Sequence, residues 1–107
     1  MMAVESAQLP IQTIASNDGG STALIFDVTG WSVCSLQAVG GAGTWTATLY
    51  RSNDKGVTPI ALSPAKTVTN ALTFSDAIDC TGFRYLVLKI TSAGSAGTIT
   101  CWVSVKG

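Results

Sequence analysis

The sequence predicts an all-β protein, a single antiparallel β-sandwich of jelly-roll type with about eight short strands. The chain has 107 residues, which is the size of one domain. Thr, Val and Ile recur in short runs that Gly, Asn-Asp and Ser-Gly turns interrupt, as is typical of β-strands. No window shows persistent helical periodicity. Short strands at this spacing favour a sandwich or a jelly roll.

Turn and proline signals set the bounds of the predicted strands. Pro10 marks the first strand as an edge strand, because proline cannot donate a hydrogen bond to a ladder. An Asx-plus-Gly hairpin turn at residues 52–56 follows the fourth strand, and Pro64 stops the fifth. Residues 1–8 are predicted to form an N-terminal arm and residues 9–107 the sandwich domain. The strands are predicted at residues 9–15, 22–28, 31–39, 44–51, 58–62, 67–74, 83–91 and 98–105.

The chain also contains an internal repeat with an offset of 52 residues, from Asp27 to Asp79. Residues 27–31, Asp-Val-Thr-Gly-Trp, match residues 79–83, Asp-Cys-Thr-Gly-Phe. Each copy is followed by a strand, a Gly/Ala loop and a Thr-alternating strand. Two copies are too few for an open solenoid, but two similar hairpin units that face each other close into a sandwich. The repeat therefore predicts an internal two-fold relation, with convergent turn chemistry as the alternative.

Alternation assigns the two faces of the fourth and eighth strands. Tyr50 and Trp102 fall in the outward, Thr-rich rows. An exposed aromatic beside threonines marks a contact surface, for which we expect a protein partner, with a sugar or simple packing at the sheet edge as the alternatives. The core-facing side chains are predicted to be Trp45, Ala47, Leu49, Ile99, Cys101, Val103 and Val105.

The seventh predicted strand, residues 83–91, is apolar on both faces. Leu86 and Leu88 lie on one face, and Tyr85 and Val87 lie on the other. A strand with two apolar faces is covered on both sides, so the N-terminal arm, residues 57–70 or another subunit must cover the second face. We expect another subunit, because burial of each Leu or Val side chain is worth about 1.5–3 kcal/mol.

Composition argues against several classes of function. Six Lys/Arg and six Asp/Glu give zero net charge, and 11% charged residues is low against an average of about 25%. A nucleic-acid partner needs a basic surface, and a membrane helix needs roughly 20 apolar residues in a row. The absence of histidine removes the commonest general base and metal ligand. We therefore expect no cofactor, nucleic acid or membrane partner, while the weakly charged surface suits assembly.

Three cysteines, Cys34, Cys80 and Cys101, are widely spaced and show no zinc-binding pattern. They are predicted to be buried, reduced thiols of a protein made in a reducing cytoplasm. A single disulfide, between Cys80 and Cys101, is the alternative.

The carboxylates of the repeat, Asp27 and Asp79, are candidates for a hydrolase pair if they face each other across a pocket. We expect instead that each accepts hydrogen bonds from the backbone of its own turn. Residues 17–19 and 53–56 could be interpreted as calcium loops, but six acidic residues in the whole chain supply too few oxygens. No catalytic or metal-binding residue is predicted.

Residues 44–56, Thr-Trp-Thr-Ala-Thr-Leu-Tyr-Arg-Ser-Asn-Asp-Lys-Gly, and residues 79–97 resemble the small β-sandwich structural proteins of tailed-phage virions. The resemblance covers roughly residues 20–105. Such sandwiches serve as capsid decoration (cement) proteins, head fibres and tail or baseplate modules. The resemblance implies a non-enzymatic protein of the capsid surface, often a homotrimer, made in the host bacterial cytoplasm, with the major capsid protein and its own copies as partners.

The expected function is therefore to bind and stabilise the phage head shell. The alternative is a carbohydrate- or receptor-binding module of a tail, fibre or baseplate. Decoration proteins of this kind often carry an N-terminal arm that grips the shell, which adds the first residues to the expected interface. The interface residues are predicted to be Met1, Met2, Val4, Tyr50, Tyr85, Leu86, Leu88 and Trp102.

Overall fold

The computed structural model describes residues 5–63, 65–71, 73–75 and 77–107, and in them it contains strands and turns but no helix. Two antiparallel sheets of five strands pack against each other, which confirms the predicted antiparallel sandwich. The ten strands are β1 (Ser6–Gln8), β2 (Gln12–Ala15), β3 (Ala23–Asp27), β4 (Val33–Ala42), β5 (Thr46–Ser52), β6 (Ile60–Ala61), β7 (Thr67–Thr69), β8 (Ile78–Asp79), β9 (Tyr85–Ser92) and β10 (Ser95–Lys106).

The two halves of the chain interlock in the two sheets. Sheet A has the order β1-β10-β4-β8, with β2 also paired to β10. Sheet B has the order β3-β9-β5-β6, with β7 also paired to β5. Strands β3, β4 and β5 correspond to β8, β9 and β10 in the repeat. The central strand of each sheet therefore comes from one half, and its two neighbours come from the other half.

Backbone hydrogen bonds between the two repeated turns follow the same symmetry. The N–H of Val28 donates to the carbonyl of Arg84 over 2.8 Å, and the N–H of Cys80 donates to the carbonyl of Ser32 over 2.9 Å. Each bond joins the second residue of one motif to the residue that follows the aromatic of the other. Turn chemistry alone does not produce this reciprocal pairing, so the structure supports the predicted two-fold relation.

The core lies between the sheets and contains the side chains that alternation assigned to it. Trp45 is fully buried, and its indole N–H donates to the carbonyl of Gly40 over 3.1 Å. This bond satisfies the one polar group that the ring takes into the core. The other predicted core residues of β5 and β10 are also buried: Ala47, Leu49, Ile99, Cys101, Val103 and Val105.

Two strands were not predicted, and one predicted strand belongs to both sheets. Ser6–Gln8, in the predicted arm, forms β1 on β10, and Ile78–Asp79 forms β8 on β4. The predicted strand at 67–74 provides β7 in sheet B, whereas Phe74 pairs with Gln37 of β4 in sheet A. The chain therefore changes sheets within this segment, which alternation cannot reveal because both parts are extended.

Hydrogen bonds hold this crossing segment at both ends. The side-chain amide of Asn70 donates to the carbonyl of Gly43 over 3.0 Å, at the end of sheet B. On the other side, the backbone N–H of Leu36 donates to the hydroxyl of Ser75 over 3.1 Å, in sheet A. Ser75 is buried, so its hydroxyl satisfies a backbone group that would otherwise be unpaired.

The two-faced strand β9 is covered within its own chain, contrary to the expectation of a neighbouring subunit. Leu86 and Leu88 are fully buried between the sheets. Val87 faces outward and is also fully buried, because the loop after β5 folds over it. A Cβ built on Gly56 would stand 3.6 Å from Val87 Cγ2 and 3.0 Å from Ile25 Cδ1. Leu86 and Leu88 are therefore unavailable to a partner, and the apolar pattern of β9 reflects burial in the folded chain.

The three cysteines are free thiols, and all three are buried. Burial raises the pKa of Cys101 to about 12 and raises the pKa of Cys80 as well. The thiol of Cys80 donates to the carbonyl of Trp31 over 3.2 Å rather than pairing with Cys101.

Candidate interaction surface

The outer face of sheet A carries a row of three side chains across neighbouring strands. Phe74 pairs with Gln37 of β4, and Gln37 pairs with Trp102 of β10. Phe74 is 53% exposed and Trp102 is half-buried, and both flank the exposed amide of Gln37. In the next row of the same face, Val39 lies opposite Thr100 and is 42% exposed.

A fourth hydrophobic side chain lies beside this row. Residues 9–11 link β1 to β2 and pass β10 at the level of Trp102, and Ile11 is 56% exposed. Five large hydrophobic side chains are exposed in the described part of the chain, and three of them are therefore found here. We call this surface the Trp102 face, and it consists of Ile11, Gln37, Val39, Phe74, Thr100 and Trp102.

The Trp102 face lies on a sheet with almost no charge. Strands β1, β2 and β4 contain no charged residue, whereas β10 contains Lys106 at its last position and β8, at the edge, contains Asp79. A surface without charges loses little hydration energy when a partner covers it. Exposed apolar side chains with a polar surround mark interaction sites on soluble proteins. Covering this face of sheet A with another protein would therefore be energetically favourable.

The outer face of sheet B has the opposite character. The ammonium group of Lys89 lies 6.0 Å from the centre of the Tyr50 ring, and the guanidinium of Arg84 lies 5.8 Å from the centre of the Tyr85 ring. Each cation therefore covers an aromatic ring. The loop at Gly56 covers Val87 in the middle of β9. Two exposed hydrophobic side chains remain near this sheet, Val57 in that loop and Ile60 in β6.

The predicted interface residues do not form one surface. Trp102 lies on the outer face of sheet A, whereas Tyr50 and Tyr85 are half-buried in sheet B. Met1, Met2 and Val4 lie outside the described residues. Phe74, Val39 and Ile11 were missed, although they join Trp102. Their exposure depends on which strands are neighbours, and only the outward position of Val39 in β4 could have been inferred from alternation.

The two repeated carboxylates bind their own turns. Oδ1 of Asp27 accepts the N–H of Thr29 over 3.0 Å, and Oδ1 of Asp79 accepts the N–H of Thr81 over 3.0 Å. Hydrogen bonds from the hydroxyl and backbone of these threonines lower the pKa of both carboxyls. Both groups are therefore ionised at neutral pH, and they border different depressions of the surface. Neither is poised to act as a general acid.

A third carboxylate organises the loop that covers β9. The hydroxyl of Ser52 donates to Oδ1 of Asp54 over 2.6 Å, and the N–H of Thr58 donates to the same oxygen over 3.0 Å. These bonds, led by the one from Ser52, lower the pKa of Asp54 to about 2. The loop therefore depends on an ionised carboxylate.

These carboxylates predict how stability depends on pH. A carboxyl whose pKa is lowered on folding stabilises the protein above its unfolded pKa and loses that effect as the pH falls through its folded pKa. We expect the unfolding temperature to stay level between about pH 7 and 5 and to fall between about pH 4 and 2. Replacing Asp27, Asp54 and Asp79 together by asparagine should flatten that fall. Thermal unfolding followed by circular dichroism measures both, and an equally steep fall in the variant would contradict the assignment.

No helix in the described ranges is long and apolar enough to cross a membrane. The same residues contain no group of three or more cysteine or acidic side chains that could hold a metal ion.

No known protein family and no curated protein matches the sequence. Among solved structures, the SPBc2 prophage-derived protein YomS matches with a TM-score of 0.66 and 12% identity, over 100% of this chain and 97% of that one. The PBSX exported protein XepA matches with a TM-score of 0.65 and 14% identity, over 100% of this chain. This chain spans 39% of the XepA chain. At such identities the likeness shows a shared fold.

Proposed function

We propose that the chain is a structural protein of a phage virion, a capsid decoration (cement) protein that binds the head shell through the Trp102 face. Its partners are the major capsid protein and further copies of itself, in a homotrimer on the capsid surface. Burial of Phe74, Val39 and Ile11 against the shell adds stabilising contact area. Residues 1–4, which precede β1, would add an apolar arm to the same assembly.

The uncharged Trp102 face is the observation that carries this proposal. A free protein with such a face and zero net charge is prone to associate, whereas a subunit of a particle keeps the face covered. The fold that the chain shares with two prophage-encoded proteins is compatible with a phage origin. The carboxylates bound to their own turns favour a binding role over a catalytic one.

The test is the protein composition of purified phage particles. Phage heads and tails are purified from a culture of the phage that encodes this chain, and they are separated on a density gradient. The amount of the chain relative to the major capsid protein is then measured in each fraction by mass spectrometry. A fixed ratio to the capsid protein in the head fraction supports the proposal. Presence in the tail fraction alone would favour the tail, fibre or baseplate alternative, and absence from both fractions would overturn the structural role.

A further inference from the structure

The two repeated turns meet at one end of the sandwich and form a cleft of about 500 Å³. This volume falls within the range of small-molecule sites, about 300–1,000 Å³, and the cleft is shallow and open to solvent. Residues 29–32 of the first turn line one side and residues 80–84 of the second turn line the other, with Asn53 completing the wall. None of these residues belongs to the Trp102 face.

Both turns have the same backbone construction, which makes the cleft a rigid one. The N–H of Trp31 donates to the carbonyl of Val28 over 3.1 Å, and the N–H of Phe83 donates to the carbonyl of Cys80 over 3.4 Å. Val28 and Cys80 are buried in the core, so each turn is anchored beneath the cleft. With the reciprocal bonds between the turns, the cleft is formed before any ligand arrives.

The cleft offers one aromatic ring and several free hydrogen-bond donors. Trp31 is half-buried and packs against the edge of the core, whereas Phe83 is buried. The indole N–H of Trp31, the side-chain amide N–H of Asn53 and the guanidinium of Arg84 donate no hydrogen bond to another described residue. The backbone N–H of Arg84 donates to the side-chain oxygen of Asn53 over 2.9 Å, which directs the amide nitrogen of Asn53 away from that bond.

We propose that this cleft binds a neutral saccharide. The half-buried Trp31 would provide an apolar platform for the face of a sugar ring, and planar amide and guanidinium groups donate to sugar hydroxyls. Ser32 lines the same cleft and adds a hydroxyl, whereas the hydroxyls of Thr29 and Thr81 already donate within the turns and could only accept from a ligand. An anionic ligand is disfavoured, because the ionised Asp27 lies within electrostatic reach of Arg84 and offsets part of its charge.

Two variants of different kinds test the site, so that the result does not depend on one substitution that could unfold the protein. Trp31→Ala removes the aromatic platform. Gly82→Tyr fills the cleft, and a Cβ at Gly82 meets no atom within 4 Å and requires no left-handed backbone, so the fold should tolerate it. Trp102→Ala, on the outer face of sheet A, is the matched control. The unfolding temperature of each variant shows that it is folded.

The experiment applies the purified chain and these variants to a printed array of neutral oligosaccharides, followed by titration calorimetry with the best binder. We expect the wild type and Trp102→Ala to bind equally, and Trp31→Ala and Gly82→Tyr to lose at least ~10-fold in affinity. No binding to any oligosaccharide, unchanged binding by Gly82→Tyr, or a loss confined to Trp102→Ala would overturn the proposal. The composition of phage particles is independent of this result, so the two proposals can fail separately.

Discussion

Replacing Trp45 by alanine should destabilise the protein by about 3–5 kcal/mol, because it opens a cavity between the two sheets. The ring is fully buried in the core, and its indole N–H bonds the carbonyl of Gly40. Domains of this size have about 5–15 kcal/mol of stability in total. The variant should therefore unfold at a much lower urea concentration than the wild type, or fail to accumulate as a folded protein.

The matched control is Trp102→Ala, the same substitution on the half-buried outer face of sheet A. Because water can fill the space that the outer ring leaves, this variant should show a much smaller loss. Urea unfolding followed by fluorescence compares the two midpoints. A loss for Trp102→Ala as large as that for Trp45→Ala would mean that the core has been assigned incorrectly.

Gly41→Ala should cost about 2–6 kcal/mol, for two separate reasons. The φ of Gly41 is +80°, a backbone conformation that strains alanine by about 1–3 kcal/mol. A Cβ at this position would also stand 2.8 Å from Nε1 of Trp45 and 2.9 Å from Cγ1 of Ile99. Overpacking of this kind typically costs another 1–3 kcal/mol.

Gly82→Ala provides the comparison for this prediction. Gly82 has no left-handed φ and no atom within 4 Å of a Cβ, so its substitution should change stability by no more than about 0.5 kcal/mol. Denaturant midpoints of the two variants test the difference. Equal midpoints for Gly41→Ala and Gly82→Ala would show that the end of β4 does not pack against Trp45 as described.

The main features of the fold can be predicted from the sequence because they depend on local patterns. Alternation in β5 and β10 identifies the core side of both strands, from Trp45 to Val105. The repeat of Asp27 and Asp79 predicts two equivalent turns, and the strand order bears out the two-fold relation. These signals are local or nearly so, since turn residues and side-chain period are read within one strand and its flanks.

The features that could not be predicted depend on which segments become neighbours. The alternation in β9 places Val87 on the outward face, where it would need another subunit to cover it. In the structure, the loop that contains Gly56, distant in sequence, covers it instead. Phe74 continues a strand in the sequence, but it pairs with Gln37 in the other sheet. Both results require the tertiary arrangement, and both move the candidate interface. The candidate interface is therefore not on the outer side of β9, where the sequence predicted it, but on the outer side of sheet A.

The most direct test of the proposed contact surface compares two threonines that point outward from different sheets. Thr100 lies on the Trp102 face, and Thr67 of β7 lies on the outer side of sheet B. Changing either threonine to lysine adds one positive charge at an outward-facing strand position, where the longer side chain can extend away from the core. If the lysine is buried in an interface and has no oppositely charged partner, its charge weakens binding by several kcal/mol. At an exposed site the same charge has little effect on binding.

The measurement is a co-sedimentation titration with purified head shells from a strain that lacks the gene for this chain. We expect the wild type and Thr67→Lys to bind with the same affinity and Thr100→Lys to bind at least ~100-fold more weakly, a difference of about 2.7 kcal/mol. Equal binding by Thr100→Lys and the wild type, or a loss confined to Thr67→Lys, would contradict the assignment of the Trp102 face as the contact surface.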